Sequence, residues 1–155
     1  MKYESEHKTR KIRIDPKLQS AGWKVTAYNP NKPLSSLNRY AIEEYPTSEG
    51  LADYALCLEG RIVAVVEAKR VTLGPQNVLT QAERYARGIS DSPFRFNEFR
   101  IPFLYSTNGE IIWHHDVRNP MNRSRQIATF HSPEALMEML VRDADALIQL
   151  LSDTP

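Results

Sequence analysis

Short apolar stretches separated by turn-forming residues run through most of this chain, and helical periodicity is confined to its beginning, middle and end. Residues 4–20 are rich in Glu, Lys, Arg and Gln, all good helix formers. Asp15-Pro16 inside them can restart a helix, with Asp15 as N-cap and proline at the first helical position. Strands are predicted over 22–28 and 39–45, the second stopping at Pro46, with a loop of Asn, Pro and Ser over 29–38. Residues 51–58 and 62–69 read as strands around a Glu59-Gly60 turn. Residues 76–88 have a helical period that puts Val78, Gln81, Ala82 and Tyr85 on one face, with Gly88 as stop. Residues 101–107 and 110–116 flank Asn108-Gly109, a second hairpin signal. A last helix begins at Ser132, its N-cap, and carries Glu134 in its first turn and a stripe of Leu136, Leu140, Leu147 and Leu150. The whole predicts an α/β domain, a central mixed sheet flanked by helices. Its 155 residues suit a single domain spanning 1–155.

Composition narrows the class. The chain is 41% hydrophobic and 25% charged with a net charge of +1, which gives no general attraction to nucleic acid or to an anionic membrane. One cysteine, Cys57, excludes an internal disulfide and a multi-cysteine zinc site and reads as a buried strand residue. No apolar stretch approaches a membrane span, so a cytoplasmic location and no membrane partner are expected. No Gly-x-x-x-x-Gly-Lys-Ser/Thr sequence is present, so this stretch cannot drive ATP-dependent movement. Basic residues crowd Lys2, Lys8, Arg10, Lys11, Arg13 and Lys17, and again Arg118, Arg123 and Arg125 in the expected loop after the second hairpin. Such runs are solvated faces or local phosphate contacts, and no base-reading signature accompanies them.

The chemistry concentrates where the apolar strand 62–69 ends in Glu67-Ala68-Lys69. Strand side chains alternate, so Glu67 and Lys69 share a face, and charges at the end of a buried strand need partners. Asp53 on the preceding strand lies opposite Glu67 if the turn holds an odd number of residues, as a three-residue loop Glu59-Gly60-Arg61 would. A strict two-residue turn would put them on opposite faces. Two converging carboxylates suit a hard cation such as Mg²⁺, with the Ala68 backbone carbonyl as a further ligand and Lys69 placed to orient or deprotonate a water. Removing either carboxylate would relieve repulsion and could raise the stability of the metal-free protein. The pattern alone describes a surface ion pair equally well. His114-His115 invites a zinc reading, but adjacent strand residues face opposite ways and no third ligand has suitable spacing.

The segment "LADYALCLEGRIVAVVEAKR", 51 to 70, resembles the core of the PD-(D/E)xK nuclease superfamily. It is closer still to the nuclease domain at the N-terminus of the type I restriction enzyme R (motor) subunit. Supporting stretches run along most of the chain: "HKTRKIRIDPKLQSAGW" at 7–23, "EEYP" at 43–46, "QAERYA" at 81–86, "STNG" at 106–109 and "FHSPEAL" at 130–136. The departure is Leu51-Ala52 before the aspartate, where the family has proline. The resemblance implies a restriction-endonuclease-like fold and a Mg²⁺-dependent DNA endonuclease, Mn²⁺ serving as well. Asp53 and Glu67 would bind metal, Lys69 would be catalytic, and Gln81 and Tyr85 would reach the site or the DNA. Glu6 and Glu44 are further carboxylates that such domains send toward the metal. The implied partners are double-stranded DNA, read without base specificity, and methylase and specificity subunits through a longer protein. ATP would enter only through a translocase domain beyond this chain. The rivals are a catalytically silent nuclease-like docking module and another nuclease of the same superfamily serving repair or a mobile element.

Overall fold

The computed structural model describes residue 8 and residues 10–68, 79–89, 92 and 99–152, with the backbone alone over 79–81 and 143–152. A π-helical turn, Arg10–Ile14, runs directly into α1, Asp15–Ala21. The strands are β1 Lys24–Ala27, β2 Tyr40–Thr47, β3 Gly50–Leu58, β4 Arg61–Ala68, β5 Phe103–Thr107, β6 Ile112–Asp116 and β7 Arg125–Ile127. Helix α2, Leu79–Arg87, precedes β5, and α3, Pro133–Ser152, follows β7. All seven strands form one sheet in chain order. The β1–β2 and β4–β5 pairs are parallel and the other neighbours antiparallel.

The two parallel joints explain the layering, because each needs a crossover over one face. Helix α2 belongs to the second crossover, and its Ala82, Tyr85 and Ala86 pack with Ala55, Ile62, Val65 and Leu104. On the opposite face Ile14 and Leu18 join Trp23, Phe130 and Leu136 over Tyr54, Leu56, Val66 and Phe103. With both faces covered, β4 is apolar from Ile62 to Val66 without alternation. Helix α3 starts as its sequence predicts, with the Ala135 amide donating to Ser132 Oγ at 3.0 Å.

The β3–β4 hairpin departs from the expected three-residue loop. Leu58 pairs with Arg61, so the turn is Glu59-Gly60 alone, with φ of 49° and 78°. Left-handed backbone at both turn residues matches the strand twist, which is why this short turn wins. Parity is then restored further along. Ile62 pairs with Cys57 and Ala64 with Leu56, leaving Val63 as the extra residue of a β-bulge. Val63 and Ala64 accordingly both join the α1/α3 core, while Ile62 and Val65 face α2.

Other expectations are corrected. Asp15 is not an N-cap, because the π turn continues into α1 and its position is helical; Ile14 stands at the junction without a side-chain cap. Pro46 does not end β2, which reaches Thr47; it pairs with Leu51 beside the hairpin turn, after Glu44 has already interrupted the ladder with a φ of 54°. Arg125 is in β7, a strand the sequence had hidden within a polar loop. The Thr107–Ile112 pair brackets residues 108–111, so the second hairpin loop is longer than Asn108-Gly109. The expected helix residues 76–78 lie outside the described residues. Cys57 is fully buried, its thiol directed at the Leu37 carbonyl, and burial pushes its pKa up to about 11.

The turn supplies a test. A Cβ on Gly60 would lie 2.9 Å from the Ser35 Cα, at a φ that side chains resist. Gly60→Ala should therefore lose about 1–3 kcal/mol in urea unfolding. Glu59→Asn, which suits left-handed backbone, should gain a few tenths to about 1 kcal/mol.

Candidate active site

Tyr54–Val66 is the last pair of the β3–β4 ladder, and Asp53 and Glu67 are the next residues on the two strands. There the ladder changes character. The Ala68 amide donates to Asp53 Oδ2 at 2.7 Å, so a side chain takes a bond that the neighbouring backbone would otherwise receive. This turns the Asp53 carboxylate into the seam between β3 and β4. Glu67 lies on the Ile62/Val65 side of β4, beside Ser106 of β5, and is only 3% exposed. An acidic side chain that deep is costly unless it is neutralised or bonded.

The neutralising groups reach this sheet end from the N-terminal segment. Arg10 Nη1 lies 3.7 Å from Asp53 Oδ1, and its Nη2 donates to Glu44 Oε1 at 3.2 Å. Burial works against the Arg10 charge, but Glu44 and Asp53 outweigh it and keep the guanidinium firmly protonated. The left-handed backbone of Glu44, opposite Asp53 in β2, presents its carboxylate to Arg10. Next along, Lys11 Nζ pairs with Asp15 Oδ2 at 3.2 Å and contacts Glu43 at closer range; the Glu43 bond leads in raising its pKa. Asp15 in turn accepts from the buried Tyr54 hydroxyl, whose pKa rises mainly through burial and then through Asp15. Arg13 stands 3.6 Å from Glu110, across the β5–β6 loop. Arg10, Lys11 and Arg13 thus engage carboxylates of the same chain, so they do not form the freely solvated patch that their spacing suggested.

Tyr85 on α2 is 8% exposed and leans over the start of β3, where its ring edge would meet a Cβ on Gly50 at 3.3 Å. Gln81 stands one turn earlier in the same helix. Lys69 and Glu6 lie outside the described residues. Among the described residues, no three His, Cys, Asp or Glu side chains cluster as a metal site. The Asp53–Glu67 pair remains a suitable donor set for a hard cation that keeps several waters. A guanidinium already lies beside Asp53. Arg10 is the residue that sequence reasoning missed, since one arginine in a basic run carries no sign of which carboxylate it will meet.

The same contacts reverse an expectation about stability. Asp53→Ala would strand the Ala68 amide and remove a partner of Arg10, so it should cost about 1–3 kcal/mol in denaturant unfolding rather than stabilise. Asp53→Asn keeps an acceptor for the amide and should lose less.

Comparison with known proteins adds three findings. Residues 27–140 match the family described as the second domain of the endonuclease subunit of the type I restriction enzyme EcoKI. The EcoKI endonuclease subunit of Escherichia coli K12 is 30% identical, over an alignment covering 97% of this chain and 17% of that protein. The chain therefore spans about a sixth of the length of that relative. The fold is shared, with a TM-score of 0.65 and 24% identity, with a fragment structure described as an HsdR subunit of a type I restriction enzyme from Vibrio vulnificus YJ016; 92% of this chain and 26% of that one are covered.

Proposed function

The chain belongs to the endonuclease-subunit family of type I restriction enzymes, and we propose that it is the DNA-cleaving domain of such a subunit, built on a PD-(D/E)xK nuclease fold. The observation that supports the reading is the Ala68 amide's donation to Asp53 Oδ2, which draws the Asp53 carboxylate to the end of β4, where Glu67 precedes Ala68. Asp53, Glu67 and the Ala68 carbonyl would hold Mg²⁺ or Mn²⁺, which supplies charge neutralisation at the phosphodiester and a more acidic water. Lys69 would hold a phosphate oxygen or take a proton from the attacking water. Gln81 and Tyr85, on one face of α2, would hydrogen-bond the DNA backbone. Arg10 would leave Asp53 as the metal enters and stay tethered through Glu44. Glu44 is thereby a holder of Arg10 rather than a metal ligand, and Glu6 stays a candidate for the metal.

The domain would act in the cytoplasm on double-stranded DNA without reading bases. Targeting would come from methylase and specificity subunits, and ATP-driven movement from a translocase region of the longer subunit. Among the described residues no helix is long and apolar enough to cross a membrane. A docking module without catalysis is the alternative, favoured by the Arg10 contact with Asp53.

Plasmid cleavage by the full subunit with its partners and Mg²⁺ decides between them. Asp53→Ala, Glu67→Ala and Lys69→Ala should each lower the cleavage rate by on the order of 10³-fold or more, with DNA binding retained. Undiminished cutting by any of the three variants would refute its assigned role, and absence of cutting by the wild type would favour the docking module.

A further inference from the structure

A second polar site lies on the α1/α3 face, toward the Asp116 end of β6 and away from the end that meets the Thr107 loop. It is a cavity of about 260 Å³ lined by His114, Asp116, Asn122, Arg123, Arg125 and Met139. His114 is only 2% exposed, and neither ring nitrogen makes a hydrogen bond of full geometry, the Leu104 backbone being the one group that acts on the ring in that way. Buried polar atoms are seldom left so, because the lost hydration is uncompensated. Its surroundings explain the state of the ring. Burial first, then His131 and more weakly Arg125, push the His114 pKa down to about 3 against the upward pulls of Asp116 and the Leu104 backbone, so the imidazole is neutral near pH 7 and offers one N–H. Tyr105 stacks against it at 4.7 Å between centroids, while the Tyr105 hydroxyl is occupied with His131 Nδ1 at 2.7 Å.

The charges around this ring are asymmetric. Arg125 is the direct register partner of His114 in β7 and shares its face of the sheet. The side chains of Arg123 and Arg125 make no hydrogen bond or ion pair among the described residues. The one acidic lining group, Asp116, is already clamped by Arg118 through contacts of 2.9 and 2.6 Å. Asn122 is held by its donation to the Asp116 carbonyl at 3.1 Å, which fixes the loop bearing Arg123. Two guanidinium groups with no side-chain partner among the described residues, lining one cavity with a buried imidazole, favour a ligand with several acceptor oxygens and negative charge. They disfavour a cation, and His114 with Asp116 falls short of a three-group metal cluster.

We propose that this pocket binds a phosphate group, clamped by Arg123 and Arg125 and met from inside by His114. The inference stands apart from the nuclease reading, since it uses none of those residues. The phosphate is either that of a free phosphate compound or that of a nucleic-acid backbone, and both present the same oxygens.

The test is titration of the 155-residue chain, at constant ionic strength, with inorganic phosphate, with a nucleoside 5′-monophosphate and with a short DNA duplex. Calorimetry would read affinity and ¹⁵N NMR would read the His114 ring nitrogens. Inorganic phosphate should saturate and shift the His114 signals. Arg123→Ala and Arg125→Ala, both at exposed positions, should each weaken it about tenfold with unchanged circular dichroism. Tighter, Arg125-dependent binding of the mononucleotide assigns the site to a free phosphate compound, and of the duplex to the nucleic-acid backbone. A His114 signal unmoved by all three ligands, or binding indifferent to both arginine substitutions, overturns the proposal.

Discussion

The extra residue in β4 governs what the rest of this molecule can do. Side chains on a strand alternate faces, so a hairpin closed by the Glu59-Gly60 turn would leave Asp53 and Glu67 on opposite sides of the sheet. Val63 absorbs one residue without a partner, and from Ala64 onward the strand runs in the other phase. The bulge thereby separates two requirements that conflict. A tight left-handed turn satisfies the local twist near Gly60, and beyond the bulge the register carries Asp53 and Glu67 to the same end of the ladder. Slippage back would be costly, because the residues from Ala64 onward would exchange faces and Ala64 and Val66 would leave the core they share with Val63.

Acidic residues gathered at that end would repel one another without the N-terminal segment. Arg10 spans Glu44 and Asp53, and Lys11 spans Glu43 and Asp15. Each cation joins strands to the segment before α1, so the edge of the candidate site and the packing of that segment are one structure. Gly109 adds to the joint: a Cβ there would sit 2.4 Å from the Cβ of Arg13. The close approach brings the β5–β6 loop against the same segment. An electrostatic network of this kind defines geometry more than it adds stability, since part of each attraction offsets lost hydration.

Most of the sheet was legible because its strands are short, apolar and separated by strong turn formers. Asp53 and Glu67 were legible as residues at the same end of the two strands, while the expected three-residue loop is replaced by a two-residue turn and a bulge, which together have the same parity. Pro46 misled because a proline tells of a missing donor and not of a ladder already broken at Glu44. Strand β7 was hidden since Arg125-Gln126-Ile127 offers a single apolar residue, and pairing with β6 supplies the rest. Arg10 could not be read at all, because its partners are 34 and 43 positions away and depend on how the π turn directs it. The pairing of His114 with Arg125 was out of reach for the same reason, while the opposed facing of His114 and His115 followed from strand geometry.

The lone thiol has a practical meaning. Cys57 sits under both neighbouring strands, paired with Tyr40 on one side and Ile62 on the other, and burial disfavours its thiolate. Reaching it requires lifting the cover that Leu37 and α2 form over this face of the sheet, not fraying at an edge. Its rate of alkylation is therefore a chemical clock for opening of the layer on the α2 face, built into the wild-type chain, and motions confined to the Arg10 segment or the β7 edge leave it silent.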